Sequence, residues 1–321
     1  MEIGFVGLGR MGGNMALRLL KRGHRVIGFD LSKAAVQSYA GKGTVGAEDW
    51  ADLVKKFQSR PRVMWIMVPA GDPTTQAINQ LISLGEQGDI IVDGGNTNWK
   101  VALDDCKRVR AKGMHYMDAG VSGGIWGLEY GYSLMVGAEA DVYQHCLPLL
   151  KDLAPEDGGL VHTGSEGSGH FVKMVHNGVE YGLMQAYAEG FQVMKMSKSF
   201  PGMDMHAIAE AWRTGSVVRS WLLDLIARGL AQDPELAGIK GWVEDTGEGR
   251  WTVETAIEES VPTPVIAESL FARFRSRMEN TFGDRMLAMM RAQFGGHAVV
   301  KDASSEQSSS AGVPAPEARE S

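Results

Sequence analysis

The sequence predicts an α/β protein in which a doubly wound parallel sheet is followed by a smaller all-helical domain. Up to residue 165, short β-rich runs alternate with amphipathic segments of helical period, which is the pattern of a parallel sheet covered by helices. Beyond that point the β-rich runs stop, and one long helical segment extends from Ser168 to Met196. We therefore expect a sheet domain at 1–165 and a helical domain at 166–301. Residues 302–321 are rich in Ser, Ala, Pro and Glu, which predicts a disordered tail.

Each predicted element follows from the period of its apolar residues, which is two for strands and 3.6 for helices. The predicted strands are Ile3–Val6, Arg25–Phe29, Arg62–Val68, Asp89–Val92, Met114–Met117 and Ser133–Val136. The helices expected between them are Asn14–Lys21, Pro73–Leu84, Trp99–Lys112 and Ala140–Lys151. The helices expected after the long segment are Met205–Thr214, Ser220–Arg228, Thr252–Glu259 and Pro264–Arg277.

Composition excludes several classes of protein. The formal net charge of -7 argues against a general nucleic-acid-binding surface. Two cysteines, Cys106 and Cys146, are too few for a disulfide framework or a zinc site, so we expect reduced thiols and no bound metal. The chain begins almost at once with a strand, and no apolar run approaches the ~18 residues of a membrane span. We therefore expect a cytoplasmic protein without membrane contact.

A glycine-rich motif follows the first predicted strand and opens the first predicted helix. It reads Gly7-Leu8-Gly9-Arg10-Met11-Gly12. At that place glycines allow a tight turn and bring the backbone close to a pyrophosphate at the helix N-terminus. The motif predicts a Rossmann-type dinucleotide site formed by all six residues, together with Val68 at the end of another strand. The alternative is an ordinary glycine turn.

Asp30 stands at the end of the second predicted strand, where dinucleotide-binding folds place a ribose contact. A carboxylate there accepts hydrogen bonds from both ribose hydroxyls and repels a 2′-phosphate. Leu31 and Ser32 follow it, so the neighbouring cation that NADP requires is missing. These residues favour NAD as the cofactor. The alternative is a solvated aspartate.

The long helical segment contains a stripe of polar residues. Lys173, Asn177 and Glu180 have the spacing i, i+4 and i+7, which puts them on one helix face. Such a stripe can line a polar pocket about 10 Å long, enough to span a small sugar acid. The alternative is a solvated charged face, but the glycines of this segment (Gly167, Gly169, Gly178 and Gly182) indicate close backbone approaches instead. His170 and His176 flank the stripe without completing a metal-ligand set.

Taken together and in order, these motifs resemble the 6-phosphogluconate dehydrogenases, within the wider β-hydroxyacid dehydrogenase family. The resemblance covers residues 1–300 and includes Asp93-Gly94-Gly95-Asn96-Thr97, Val121-Ser122-Gly123-Gly124, Lys173–Tyr181, Leu270-Phe271-Ala272-Arg273 and Arg291-Ala292-Gln293-Phe294-Gly295-Gly296-His297. It implies an NAD-dependent oxidoreductase that decarboxylates 6-phosphogluconate to ribulose 5-phosphate and CO2, in the pentose phosphate pathway or in gluconate utilization. It also implies a homodimer or homotetramer in which the C-terminal tail of one subunit completes its neighbour's substrate site.

The resemblance also assigns roles to individual residues. Lys173 matches the catalytic lysine, and Glu180 matches the catalytic glutamate that protonates the enediol. Asn96 matches a position that approaches both the substrate and the nicotinamide. The other implied substrate contacts are Ser122, Gly123, Gly124, His176, Asn177, Tyr181 and Arg273, with Arg291 and His297 lent to the neighbouring subunit.

The chain departs from the family's pattern in its length and in one loop. Long members carry about 150 more residues as a second helical half, so this chain resembles a short form. In the loop before Trp251, Thr246 stands where a lysine normally contacts phosphate, and Glu248 replaces a threonine. A carboxylate beside a phosphate is unfavourable, so we expect either that Arg250 swings in or that Glu248 points away.

Two other functions remain open at this point. A non-decarboxylating dehydrogenase of the 3-hydroxyisobutyrate type would share the glycine motif, the Ser122-Gly123-Gly124 turn and Lys173, but would not need Glu180 or the phosphate-binding cations. A non-catalytic NAD-binding sensor would lack Lys173 or Glu180. The presence of both residues, with the Arg273, Arg291 and His297 group, favours a small sugar-acid phosphate as the substrate.

Overall fold

A computed structural model describes residues 1–296 and 298–300; His297 and the predicted tail at 302–321 lie outside the described residues. The described chain contains an eight-stranded sheet of order β3-β2-β1-β4-β5-β6-β7-β8. The strands are β1 (Glu2–Val6), β2 (Arg25–Phe29), β3 (Val45–Gly46), β4 (Val63–Ile66), β5 (Ile90–Asp93), β6 (His115–Ser122), β7 (Ser133–Ala138) and β8 (Leu160–Gly164). This order confirms the predicted Rossmann-type, doubly wound fold, because the winding reverses between β1 and β4.

The central strands are apolar on both faces because helices cover both sides of the sheet. Phe5 and Trp65 pack into the core on one face, whereas Val6, Met64 and Ile66 pack into the core on the other. Successive residues therefore alternate between the two cores, as the pleat of a strand requires.

The predicted strands are confirmed with shifted ends, but β3 and β8 were not predicted. β3 is two residues long, and β8 is a half-exposed edge strand, so neither shows a clear apolar period. β7 runs antiparallel to β6. The link between them holds a 3-10 turn at Gly124–Trp126 and one helical turn, which is shorter than the crossover of a dozen residues that a parallel pair needs.

The helices are α1 (Arg10–Lys21), α2 (Lys33–Ala40), α3 (Trp50–Lys55), α4 (Asp72–Leu84), α5 (Trp99–Arg110), α6 (Gly127–Tyr130), α7 (Ala140–Leu153), α8 (Ser168–Lys195), α9 (Met205–Arg213), α10 (Trp221–Gln232), α11 (Glu248–Glu258), α12 (Pro264–Ser276) and α13 (Phe282–Gly295). All the predicted helices are present, while α2, α3, α6 and α13 were missed. α13 begins at a capping box formed by Thr281 and Asp284, a start signal that the sequence does carry.

The region after β8 is helical. α8 has 28 residues; one end packs on β6 and β7, and its middle packs on α11 and α12. α9 and α10 enclose a small core around Met205, Ala209, Leu223, Ala227 and Leu230. β8 ends at Gly164 and α8 begins at Ser168; the domain boundary near residue 165 stays a prediction. Among the described helices, none is long and apolar enough to cross a membrane.

Candidate active site

The glycine motif forms the turn between β1 and α1. Gly7 has a φ of +94°, and a Cβ added there would lie 2.4 Å from the carbonyl oxygen of Met67. A Cβ added at Gly12 would lie 2.1 Å from the carbonyl oxygen of Gly7, whereas at Gly9 it would meet no described heavy atom within 4 Å. Gly7 therefore makes the turn, Gly12 lets the helix pack, and Gly9 leaves open space at a helix N-terminus. A pyrophosphate-binding loop needs these three properties.

Asp30 lies beside this loop at the end of β2. Its Oδ2 accepts a hydrogen bond from the backbone N–H of Leu8 at 2.7 Å, and its Oδ1 accepts one from Ser32 N–H at 2.8 Å. The carboxylate is thereby fixed at the rim of the glycine loop. The neighbouring Leu31 is 87% exposed and uncharged. This geometry fits the ribose of NAD, because a fixed carboxylate accepts from hydroxyls and repels an added phosphate.

Val68 and Asn96 lie on the same edge of the sheet, after β4 and β5. Val68 lies against the glycine loop, since its Cγ1 is 2.9 Å from a Cβ added at Gly7. Asn96 has a φ of +55° and brackets the backbone of Val121. Its Oδ1 accepts from Val121 N–H at 3.1 Å, and its Nδ2 donates to the Val121 carbonyl at 3.4 Å. Asn96 thus connects the dinucleotide edge to the end of β6, next to Ser122.

A cavity of about 1060 Å³ lies between the end of β6 and the helices. The predicted residues that line it are Met11, Ser122, Gly123, Gly124, Lys173, His176, Asn177, Glu180, Tyr181 and Arg273. The expected face of α8 is therefore confirmed, because Lys173, Asn177 and Glu180 all face this cavity. The alternative of a solvated stripe is wrong for Lys173, which is 5% exposed.

β6 leaves room for Lys173 at Gly120. Gly120 and Ser122 share one face of β6, because side chains alternate along a strand. A Cβ added at Gly120 would lie 2.4 Å from the Cβ of Lys173 and 2.8 Å from the carbonyl oxygen of Gly169. Glycine therefore lets α8 approach β6 closely, and Ser122 continues the same face into the cavity wall.

The cavity combines a buried amine with a more accessible carboxyl group. Burial lowers the pKa of Lys173 below its ordinary value, and the carboxylates of Glu180 and Glu248 oppose that fall. Glu180 is half-exposed, and its Oε2 lies 3.9 Å from Nδ1 of His176. The same nitrogen lies 3.0 Å from Oδ1 of Asn177. An amine that loses its proton readily and a carboxyl near solvent are suited to general base and general acid catalysis.

Tyr181 anchors the loop that precedes α11. Its hydroxyl oxygen accepts a hydrogen bond from Thr246 N–H at 3.1 Å, and its ring fills the space that a Cβ at Gly249 would need. The guanidinium carbon of Arg273 lies 3.5 Å from the centroid of the Tyr181 ring, and Nη1 donates to the Glu244 carbonyl at 2.8 Å. These contacts hold the Arg273 cation at the cavity wall.

The two arrangements expected for Glu248 were that Arg250 swings in to compensate its charge or that Glu248 points away from the cavity, and both are wrong. Arg250 binds the carboxylate of Asp245 and lies 4.3 Å from the centroid of the Phe274 ring, so it does not swing in. Glu248 lines the cavity, is 7% exposed and accepts a hydrogen bond from the Thr246 hydroxyl. The reason is local, because Asp245 captures the arginine that would otherwise compensate. The cavity therefore carries a second carboxylate.

Arg291 is exposed on α13 and is not among the described residues that line this cavity. Its expected contribution to a neighbouring subunit stays a prediction. The same holds for His297, which lies outside the described residues.

The first turn of α10 forms a cavity wall that was not predicted. The residues of α10 that line the cavity are Trp221, Leu222 and Leu225. Trp126 also lines it, and the guanidinium carbon of Arg228 lies 4.6 Å from the centroid of the Trp126 ring. The sequence signal for this wall is an apolar group at the start of a helix. Such a group predicts core packing as readily as a pocket.

Comparison with known proteins agrees with this architecture. Residues 2–164 match the family model for the NAD binding domain of 6-phosphogluconate dehydrogenase, and residues 169–310 match the model for its C-terminal domain. The chain is 40% identical to the NAD(+)-dependent, decarboxylating 6-phosphogluconate dehydrogenase of Haloferax volcanii, over 94% of this chain and 99% of that protein. It is 35% identical to the Bacillus subtilis enzyme of the same name, but there it spans 63% of the relative's length.

A solved structure of Plasmodium falciparum 6-phosphogluconate dehydrogenase superposes with a TM-score of 0.80 at 26% identity, covering 95% of this chain and 67% of that one. The family models together cover most of the chain, and the Haloferax volcanii relative matches it almost end to end. On these grounds, and with the geometry above, the chain belongs to the 6-phosphogluconate dehydrogenase family.

Proposed function

We propose that the protein catalyses the NAD-dependent oxidative decarboxylation of 6-phosphogluconate to ribulose 5-phosphate and CO2. The observation that carries the proposal is the position of a buried Lys173 and an accessible Glu180 in one cavity. The sheet-side wall of that cavity includes Val121 and Ser122, and the backbone of Val121 is bound by Asn96 at the dinucleotide edge. The name of the Haloferax volcanii relative supports the same activity.

Lys173 acts as the base in the oxidation step. Its neutral amine takes the proton from the C3 hydroxyl, and burial favours that neutral form. Bound NAD supplies the acceptor for the hydride that leaves C3. The C3 ketone then accepts the electron pair of the C1–C2 bond as CO2 departs. Protonated Lys173 stabilises the negative charge that develops on the C3 oxygen.

Glu180 acts as the acid in the last step. Protonated Lys173 first gives its proton to the C3 oxygen, which yields the enediol. Glu180 then donates a proton to the carbon that becomes C1 of ribulose 5-phosphate, while the C3 hydroxyl returns its proton to Lys173 and becomes the ketone of the product. Because the Glu180 side chain is half-exposed, it can regain a proton from solvent. His176 and Asn177, on the adjoining turn, hold the substrate hydroxyl groups in position.

The cofactor and substrate are held by different parts of the chain. NAD is bound by Gly7, Leu8, Gly9, Arg10, Met11, Gly12, Asp30, Val68 and Asn96. The sugar acid is bound by Asn96, Ser122, Gly123, Gly124, His176, Asn177 and Tyr181. Its phosphate is bound by Arg273, with Arg291 and His297 from the neighbouring subunit. In this assembly the borrowed arginine would offset the carboxylate of Glu248.

We further propose a homodimer or homotetramer assembled through the helical region. α13 exposes Met286, Leu287, Met289 and Met290, and α12 exposes Val265 and Phe271. An exposed apolar surface of this kind marks a protein interface. The free, buried Cys106 and Cys146 suit the reducing cytoplasm, where the reaction serves the pentose phosphate pathway or gluconate utilization.

A substrate panel tests this function. The purified protein is given 6-phosphogluconate, gluconate or 3-hydroxyisobutyrate, each with NAD and with NADP, and the rate of cofactor reduction is measured. We expect the highest kcat/KM with 6-phosphogluconate and NAD. Preference for 3-hydroxyisobutyrate would replace the proposal with the short-acid dehydrogenase, and no turnover with any substrate would favour an NAD-binding sensor.

A further inference from the structure

A buried cluster of ionisable side chains joins the start of α8 to the end of β5 and the middle of β6. Its members are Asp93, Asp118 and His170, which are 0%, 0% and 1% exposed. None of them lines the cavity among its described residues. His170 nevertheless precedes Lys173 by three residues, which is nearly one turn of the helix.

Asp118 fixes the first turn of α8. Its Oδ1 accepts a hydrogen bond from Gly167 N–H at 2.6 Å, and its Oδ2 accepts one from His170 N–H at 2.7 Å. The first N–H groups of a helix have no partners within the helix, so a carboxylate there binds them strongly. Gly137 on β7 leaves room for this contact, because a Cβ there would lie 2.5 Å from Asp118 Oδ1.

Asp93 holds the opposite side of the cluster. Its Oδ1 accepts from Gly95 N–H at 2.9 Å, and its Oδ2 accepts from the Tyr116 hydroxyl at 3.1 Å. The same Oδ2 lies 3.2 Å from Nε2 of His170. Asp93 therefore contacts both the turn that leads into Asn96 and the helix that carries Lys173.

Electrostatic attraction between His170 and Asp93 stabilises the cluster. Burial alone would lower the pKa of His170, but Asp93 and Asp118, with Asp105 of α5 behind them, raise it above the ordinary value. Burial alone would raise the pKa of Asp93, and His170 lowers it below the ordinary value. The raised pKa of His170 and the lowered pKa of Asp93 both favour a buried ion pair between these two side chains, whereas burial raises the pKa of Asp118. Removing the His170 ring would leave the Asp93 carboxylate without this partner.

We propose that His170 is a positioning residue for Lys173. The His170 ring lies 3.2 Å from Asp93, and Asp118 binds the backbone of the same turn. Together with Asp118, the ring therefore sets where the Lys173 amine lies relative to the Asn96 loop. The step from His170 to Lys173 runs along a continuous helix packed against Gly120 and Gly137, so a change at the first turn moves the lysine. A displacement of about 1 Å in such a site can cost about 100-fold in rate. This inference rests on the proposed function, because it treats Lys173 as the base.

The chain offers a matched control at the other end of β5. Asp89 precedes the strand and is 0% exposed. Its carboxylate accepts hydrogen bonds from the backbone N–H of Arg62 at 3.0 Å and from Nε of Arg62 at 2.8 Å. Asp89 and Asp93 are therefore equally buried carboxylates at the two ends of β5, each beside a basic side chain. Asp89 lies at the end of the strand far from Lys173, so its loss tests stability alone.

The test compares His170→Gln with Asp89→Asn. We expect His170→Gln to lower kcat with 6-phosphogluconate about 100-fold, with the KM for NAD unchanged. Asp89→Asn is expected to lower the thermal midpoint and leave kcat unchanged. Equal losses of kcat in the two variants, or full kcat in His170→Gln, would overturn the proposal. If His170→Gln does not fold, Asp93→Asn is measured in its place with the same expected direction, since it removes the carboxylate beside the His170 ring and keeps the Asp118 bonds to the first turn.

A second readout does not depend on turnover. The Lys173 amine is titrated by NMR in protein labelled at lysine Cε, with its signal assigned from Lys173→Met. Glu180 on α8 and Glu248 on α11 face this amine in every variant. Loosening α8 admits water, so we expect the Lys173 pKa to rise in His170→Gln and to stay unchanged in Asp89→Asn. An unchanged pKa of Lys173 in His170→Gln would contradict the positioning role. If the wild-type protein does not turn over 6-phosphogluconate but the pKa of Lys173 still rises in His170→Gln, the positioning role is supported and the proposed function is refuted.

Discussion

The sheet region and the helical region of this molecule are built differently. The sheet has a large apolar core on each face and encloses side chains as big as Trp65 and Tyr116 completely. The helices after β8 enclose a small core and leave large apolar side chains such as Phe271 and Leu287 exposed. The residues that fit NAD are therefore held by one chain alone. In the proposed assembly, a second subunit would complete the substrate site.

This contrast separates two kinds of function. The dinucleotide edge depends on backbone geometry at Gly7, Gly9 and Gly12, which the sheet fixes. The cavity depends on side chains of α8, whose position is set by packing against β6 and α11. Changes in the two regions should accordingly have separable effects on cofactor binding and on chemistry.

The largest separation is expected from Lys173→Met. Loss of the base should lower kcat about 10⁴-fold, the upper range for general base catalysis, while the Kd for NAD stays unchanged. Steady-state kinetics and calorimetry measure the two quantities, and Lys112→Met, on an exposed turn, is the control. A comparable loss of NAD affinity would break the distinction between the regions.

A slightly smaller effect is expected from Leu287→Glu. Leu287 is 60% exposed on α13, and a carboxylate there should dissociate the assembly. In the proposed shared site, the phosphate then loses the contacts expected from Arg291 and His297, about 2 kcal/mol each, so kcat/KM for 6-phosphogluconate should fall about 1000-fold. Light scattering reports the assembly. Val161→Glu, on edge strand β8, serves as the control and should leave the mass unchanged. An active monomer would contradict the idea of a shared substrate site.

Asp30→Ala should act on the other region. Removing the carboxylate costs the ribose hydrogen bonds, about 2 kcal/mol, so kcat/KM for NAD should fall about 30-fold. The preference for NAD over NADP should weaken as well, because the repulsion of a 2′-phosphate is lost. Competition assays with both cofactors measure this change. A raised KM for 6-phosphogluconate would show that the regions are coupled more tightly than the geometry implies.

The smallest effect is expected from Glu248→Gln, measured as a pH profile. The Glu248 carboxylate opposes the fall in the pKa of Lys173, so its loss should lower that pKa further. The neutral amine then forms at lower pH. The acid limb of kcat should shift to lower pH in the variant, and a shift to higher pH would mean that Glu248 does not act on Lys173.

The sequence was most informative where the site depends on backbone conformation, as in the glycine turn, or on helical period. The motif from Gly7 to Gly12 predicts a tight turn and a backbone that a pyrophosphate can approach closely. Gly7 makes such a turn, and Gly9 leaves open space at the helix N-terminus. The stripe of Lys173 and Glu180 was also predictable, because helical period fixes which residues share a face.

Contacts between distant segments were not predictable in the same way. The Asp93–His170 pair joins residues far apart in the chain, and each looks ordinary in its own segment. Arg250 binds Asp245 and so does not compensate the charge of Glu248. The sequence shows two carboxylates near Arg250 but not which of them forms the ion pair. The cavity wall formed by Trp221 depends on how α10 packs against its neighbours. An apolar residue in the sequence does not specify whether it will line a cavity or lie in a core.

In the proposed function, the substrate is oxidised and decarboxylated in one cavity. The most direct test is the amount of labelled CO2 released from 6-phosphogluconate carrying ¹⁴C at C1, counted against NADH formed in the same reaction. We predict one CO2 for each NADH with the wild-type protein. NADH formed without labelled CO2 would contradict the account.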